Sequence, residues 1–279
     1  MLKNILIKKV NFVNKKEILQ DIKNQDEKIL VAKILDKIEF TKTKNKIQCS
    51  DFLNLYEQET ALNVMKTVGF ENFYLFGGKD NTERKLVIMY PEKLTEEMAK
   101  KNHNQLISII RINLPKDLDG EYNHRVYLGA IMKLGVEREK IGDILVKQSS
   151  ADIIVKKEIL NFLMQNLSAL TRFQSAEITE VDIEDIKDAE IAKVEISTNI
   201  ASLRLDSIVG VLARTSRSKA IQLLEQERVF LNFKVETKPS KQVKEGDIIT
   251  IRGKGRFEFR EIAGNTKKGR YIIKIDKFV

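Results

Sequence analysis

Hydrophobic and polar positions divide the chain into three parts with different periods. Over residues 1 to about 40, Ile18, Ile22, Ile29, Leu30, Ile34, Leu35 and Ile38 recur among lysines at helical spacing. Lys42, Lys44 and Lys46 then read as a polar connector. Ser50 reads as the cap of a further helix with Phe52, Leu53, Leu55, Tyr56, Leu62 and Met65, which Gly69 stops. From Glu71 short apolar runs alternate with helical ones. Strands are expected near Phe73 to Phe76, Leu86 to Tyr90, Leu106 to Leu114, Gly142 to Lys147 and Asp152 to Lys156, and helices after Pro91, around Val126 to Leu134 and around Ile159 to Leu167. From Leu203 a compact series follows: a helix, a short basic turn, a second helix starting at Ser216 with Ala220, Leu223 and Leu224 as its buried stripe, a strand, and a Gly246-Asp247 turn. The expected fold class is α+β, with a helical domain over 1–70, an α/β sandwich over 71–180, an acidic linker or strand over 181–202, and a small α+β module with a basic tail over 203–279.

Charge sharpens that division. The net charge is +9, from 49 Lys/Arg against 40 Asp/Glu. Residues 203–279 hold 18 of the basic and 9 of the acidic residues, so the first two hundred are neutral overall. An excess gathered at one end points to a polyanionic partner rather than to general solubility. The lysines of residues 1–46 are interleaved with Asp and Glu and read as a solvated face, as does the acidic run from Glu177 to Glu195.

Candidate chemistry adds little that is catalytic. Cys49 is the single cysteine and the two histidines are His103 and His124, too few for a closed zinc site, so no metal and no cofactor are expected. There is no apolar run of eighteen residues, and the start lacks the order of a secretory signal, which places the chain in a reducing cytoplasm. Arg214, Arg217 and Lys219 crowd the start of the second helix in the last module. There the dipole and free N–H groups already favour an anion, so a phosphate would relieve the repulsion. Basic side chains of this kind hold nucleic-acid phosphates. The RNA-binding set is Arg204, Arg214, Ser216, Arg217, Lys219, Lys234, Arg252, Lys254 and Arg256, with Phe233 as a stacking surface and Asp206 as an internal partner that orients an arginine or a backbone amide. A second constellation, His124, Arg125, Arg138 and Lys140, is read either as a further RNA contact or as structural, His124 then serving as a helix-cap residue. No nucleophile, metal set or cofactor loop accompanies it, so no catalytic residue is assigned.

Several of these stretches resemble known families. Arg204-Leu205-Asp206, Ser216 to Ala220, Val229 to Asn232, Lys238-Pro239-Ser240 and Gly246-Asp247 resemble the S-four RNA-binding domain. Asp51-Phe52-Leu53, Gly77-Gly78 with Glu83-Arg84-Lys85, His124 to Ala130, and Leu134 to Ile144 resemble the YlmH family of bacterial proteins. That resemblance implies a helical N-terminal domain, a middle domain like the RNA-recognition motif and a C-terminal S-four domain. The aromatic signature that stacks bases on an RNA-recognition sheet is missing. The implied function is docking, without catalysis, on ribosomal RNA and tRNA of the large ribosomal subunit during rescue or quality control of stalled ribosomes, by a monomer with no membrane or small-molecule partner. Alternatives are an RNA-modifying enzyme of the pseudouridine synthase or methyltransferase type that uses the S-four module for docking, and a scaffold associated with cell division.

Overall fold

The computed structural model describes residues 15–186 and 193–278. Expectations for residues 1–14, and for Lys187, Asp188 and Glu190 of the acidic run, lie outside the described residues. The chain forms two compact units, 1–188 and 189–279.

The first unit begins with α1 (Lys15–Gln20) and α2 (Gln25–Lys44). Asn24 caps α2 by accepting from the Glu27 N–H at 2.9 Å, and Asn45 ends it in a left-handed conformation. Lys42 and Lys44 therefore belong to the helix, not to a connector. After β1 (Gln48–Cys49) comes α3 (Leu55–Thr67), started not by Ser50 but by Asn54, whose capping box with Glu57 is complete. The Ser50 hydroxyl instead accepts from the Val87 N–H of the neighbouring strand. The unit continues with β2 (Phe73–Phe76), β3 (Leu86–Met89), α4 (Glu96–Lys100), β4 (Ile107–Asn113), α5 (His124–Lys133), β5 (Ile141–Val146), β6 (Ser150–Lys156), α6 (Leu160–Asn166) and β7 (Glu177–Val181).

These strands make two antiparallel sheets. One has the order β1-β3-β2, the other β5-β6-β4-β7. The second sheet with α5 and α6 runs βαββαβ, the connectivity of an RNA-recognition fold. Its first strand is β4, so residues 73–89, expected within the same sandwich, pair with β1 instead.

Alternation along the strands stacks the layers. Val87 and Met89 of β3 pack with Val31, Ile34, Ala61 and Met65 of α2 and α3. Leu86 and Ile88 point the other way, onto Ile107, Ile109 and Ile154 of the four-stranded sheet. The far face of that sheet, with Ile110, Ile112, Ile153 and Val155, packs on Tyr127 and Ile131 of α5 and on Leu160 and Leu163 of α6. The first unit is a four-layer α/β/β/α sandwich.

Part-buried charge ties the two sheets to each other. The Asp143 carboxylate accepts from the backbone N–H groups of Glu83 (2.6 Å) and Arg84 (3.0 Å), while the Arg84 guanidinium donates to the carbonyls of Ile141 (3.1 Å) and Phe52 (2.5 Å). A Cβ on Gly142 would lie 2.9 Å from the Phe52 ring, so only glycine fits at that contact. Asp152 is fully buried between Arg111 (2.7 Å) and Lys147 (2.5 Å). Burial pushes its carboxyl up, but the hydrogen bonds from Arg111 and Lys147 prevail and hold it below the ordinary carboxylate value.

The second unit comprises β8 (Lys193–Ile200), α7 (Leu205–Leu212), α8 (Arg217–Glu225), β9 (Val229–Leu231), β10 (Lys234–Val235), β11 (Ile248–Ile251), β12 (Gly255–Asn265) and β13 (Tyr271–Phe278). Its antiparallel sheet has the order β10-β9-β11-β12-β13-β8. Both helices lie on one core, where Leu205, Ile208, Val209, Ala220 and Leu224 meet Ile249, Phe257, Phe259, Ile273 and Ile275. The stretch expected as a basic tail is the long β12–β13 hairpin. No described helix is long and apolar enough to cross a membrane.

Replacing Asp152 with Asn leaves two cations without their counter-charge, and we expect a loss of about 3–5 kcal/mol in urea unfolding at pH 7. A carboxyl held low in the folded state stabilises above its unfolded pKa and loses that contribution as pH falls through the folded value. The gap between wild type and Asp152→Asn should therefore close on acidification below about pH 4.

Candidate nucleic-acid interface

The start of α7 has no side-chain cap. The carbonyls of Lys241 and Pro239 accept from the N–H groups of Leu205 (2.8 Å) and Asp206 (3.1 Å), which is what the Lys238-Pro239-Ser240 stretch does. The Asp206 side chain, in the first turn of α7, is fully buried. It accepts from Arg204 through Nε (3.1 Å) and an Nη (2.9 Å), and from Arg217 of α8 through Nε (3.0 Å) and an Nη (2.9 Å). The hydrogen bond from Arg204 is the main cause that keeps its carboxyl below the usual range, with Arg217 adding to it against the cost of burial. One carboxylate thus fixes two guanidiniums from two elements, as the sequence suggested for this residue. Each arginine keeps an Nη edge outside these bonds, and the Arg217 side chain is 61% exposed.

The turn from α7 to α8 carries the other cations. The Arg214 N–H donates to Val211 O at 3.1 Å and the Thr215 N–H to Gly210 O at 2.9 Å, the two bonds of a Schellman ending. Its left-handed position is occupied by Arg214 at φ 52°, where glycine is usual. The side chain is exposed, so no packing contact accounts for the choice. Ser216 caps α8, accepting from the Lys219 N–H at 3.3 Å. Arg217 and Lys219 stand in a first turn with no acidic residue.

The remaining expected residues divide. Lys234 lies on the edge strand β10, after a two-residue turn in which Asn232 (φ 50°) and Phe233 (φ 68°) are both left-handed. Asn232 is tied to Asp247 at 2.8 Å and Phe233 is half-buried at the tip. Arg252 and Lys254 form the β11–β12 turn. Arg252 lies over the Phe230 ring at 5.0 Å, and Arg256, on β12, over the Phe278 ring at 4.0 Å. The registers Ile251↔Gly255 and Arg256↔Phe278 put these three at one end of the β12–β13 ladder, whereas Asn265↔Tyr271 and Tyr271↔Ile200 mark the other. At that other end Arg270, absent from the expected set, joins Arg214 and Arg217 around one groove. The signal that would have found it is the Lys267-Lys268-Gly269-Arg270 hairpin tip.

The second constellation does not come together. His124 and Arg125 are exposed at the start of α5, where Asn123 is the cap, accepting from the N–H groups of Arg125 (3.0 Å) and Val126 (3.3 Å). Arg138 and Lys140 follow the opposite end of that helix and turn inward. Arg138 donates to the carbonyls of Ile141 (2.5 Å) and Gly142 (3.3 Å), and burial with the nearby Arg84 charge pushes its pKa down to about 10. Lys140 bridges Glu158 (2.7 Å) and Asp51 (2.9 Å); those bonds outweigh burial and raise its pKa. Both are structural groups of the first unit.

The βαββαβ sheet is closed to bases as well. Such sheets stack RNA on an open face. Here Ile107, Ile109 and Ile154 on that face are buried beneath Leu86, Ile88 and Phe52. A physical cover accompanies the missing aromatic signature.

Comparison with known proteins agrees with both folds. Residues 100–185 match the family described as "Putative RNA-binding domain in YlmH", and residues 203–249 match the S4 domain. The class is thus a chain with two modules, an RNA-recognition-like fold of the YlmH type followed by an S4 domain. A curated relative, "Ribosome-associated protein quality control protein P2" of Bacillus subtilis, is 29% identical over 257 residues, covering 91% of this chain and 96% of the relative. A solved structure, "Cell division protein ylmH from Streptococcus pneumoniae", is 19% identical with a TM-score of 0.46, covering 59% of this chain and 96% of the other. The chain carries the YlmH RNA-binding domain and an S4 domain.

Arg214→Gly should stabilise the protein by about 0.5–1 kcal/mol, because the relief of left-handed strain exceeds the added freedom of the unfolded chain. Thermal unfolding at matched pH and salt measures it.

Proposed function

We propose that the chain is a non-catalytic RNA-binding factor that docks on ribosomal RNA of the large ribosomal subunit, with tRNA as a second contact, and acts in rescue or quality control of stalled ribosomes. The observation that carries this reading is the arrangement of Arg204 and Arg217 around the buried Asp206, with Arg214 and Lys219 beside them. Guanidiniums held in one geometry lose less entropy when they grip a phosphate, and their forked donors match its oxygens. The strained Arg214 supports a role that stability alone does not explain. The name of the Bacillus subtilis relative, which extends over 91% of this chain, supports the ribosome as the site of action. Arg204, Arg214, Ser216, Arg217 and Lys219 form the principal contact. Lys234, Phe233, Arg252, Lys254 and Arg256 extend it along the sheet.

Lys219→Glu tests the assignment cleanly. An acid in the first turn of α8 favours the helix dipole, so the variant should fold at least as stably as wild type. Its affinity for purified large subunits, read by co-sedimentation, should fall at least tenfold, about 1.4 kcal/mol. Wild-type binding to ribosomal RNA should weaken with salt at a log–log slope of roughly −3 if about four phosphates are neutralised. Unchanged subunit binding by Lys219→Glu would refute the reading.

A further inference from the structure

One wall of the arginine groove lies outside the residues that match the S4 domain. The groove is open and has a volume of about 640 Å³, between Asp206, Arg214, Ser216 and Arg217 on one side and Asn199 and Arg270 on the other. Asn199 and Arg270 come from β8 and from the foot of β13, beyond the matched residues 203–249. The pairing Tyr271↔Ile200 fixes Arg270 beside the entry to α7.

The hairpin loop presents this arginine firmly. Thr266 N–H donates to Arg270 O (2.8 Å), Gly269 N–H to Thr266 O (2.9 Å) and Arg270 N–H to the Thr266 hydroxyl (3.0 Å). Gly269, at φ 73°, closes the turn. Asp206 supplies the sole carboxylate among the lining residues, and Arg204 and Arg217 already use it. Among the described residues neither Arg214 nor Arg270 has an acidic partner. Cations from two walls therefore face one cavity without compensation, and an anion between them removes the repulsion. Ala201 and Val211 add an apolar strip to the lining. That strip suits a sugar–phosphate chain better than a small inorganic ion, which offers no apolar surface to bury.

We propose that the groove is a two-walled clamp for an RNA phosphodiester backbone, closed on the α7–α8 side by Arg214 and Arg217 and on the hairpin side by Arg270. The clamp rests on the RNA-binding reading given above and assigns the β12–β13 hairpin to the interface. It also accounts for the basic hairpin tip, whose Lys267 and Lys268 are exposed beside Arg270 and continue the cationic track.

The test uses the full chain with purified large-subunit ribosomal RNA in filter binding between about 0.05 and 0.2 M salt. Arg270→Gln should weaken binding about three- to tenfold and reduce the magnitude of the salt slope by about 0.7–0.9, the loss of one phosphate contact. Arg270→Lys should recover the slope but only part of the affinity, since it restores charge without the fork. Lys93→Gln, an exposed position in the first unit, is the charge control and should change neither. If Lys219→Glu weakens binding while Arg270→Gln leaves affinity and slope at wild-type values, the clamp is overturned and the proposed function stands. If neither variant changes binding, the RNA-binding reading fails and the clamp with it.

Discussion

A carboxylate can leave water only if cations or amide groups come to meet it, and that requirement organises both units of this protein. Asp143 draws the backbone of Glu83 and Arg84 across to β5 and thereby fastens the two sheets of the first unit. Asp51 gathers Lys140 and Lys156 at the same junction. Burial works against its charge, but the Lys140 hydrogen bond and the surrounding ammonium groups keep its carboxyl below the ordinary value. Asp206 does the equivalent in the second unit, where the groups it gathers are guanidiniums near the surface. In the first unit the satisfied charge is part-buried and ties the two sheets together. In the second it leaves donor edges facing outward.

The closed sheet explains why chemistry concentrates at one end of the chain. An RNA-recognition fold ordinarily offers one sheet face to bases, and here that face carries Ile107, Ile109 and Ile154 against a second sheet. Opening it would expose a core. The cationic excess of residues 203–279 and the arginine cluster around Asp206 lie in the other unit, where the proposed function puts the phosphate contacts. The left-handed Arg214 and the cations at the start of α8 each cost stability, a cost that a phosphate would offset under the proposed function.

Much of this was legible in the chain itself. The switch from helical to alternating periodicity located β2 to β6, α5 and α6 to within a few residues, but neither β7 nor the β12–β13 hairpin. The Ser216 cap, the Gly69 stop and the internal role of Asp206 follow from local chemistry. The helix start at Asn54 was missed because Ser50 is an equally good cap by type, and only the neighbouring strand, whose Val87 N–H takes its hydroxyl, decides against it. Arg138 and Lys140 stayed open between an RNA contact and a structural role, because Arg138 is held by backbone carbonyls, which residue type does not reveal, and Lys140 by Asp51, 89 residues away.

The sequence by itself determined the polarity of each position: which faces are apolar, where helices end, and that positive charge accumulates after Leu203. Only the tertiary structure decided which layer covers each face, so that the middle sheet is closed, Arg138 and Lys140 point inward, and Arg270 meets Arg214 across a groove. The reason is physical. A side chain's tendency to leave water is a local property, whereas the partner it finds depends on how strands distant in sequence cross in space.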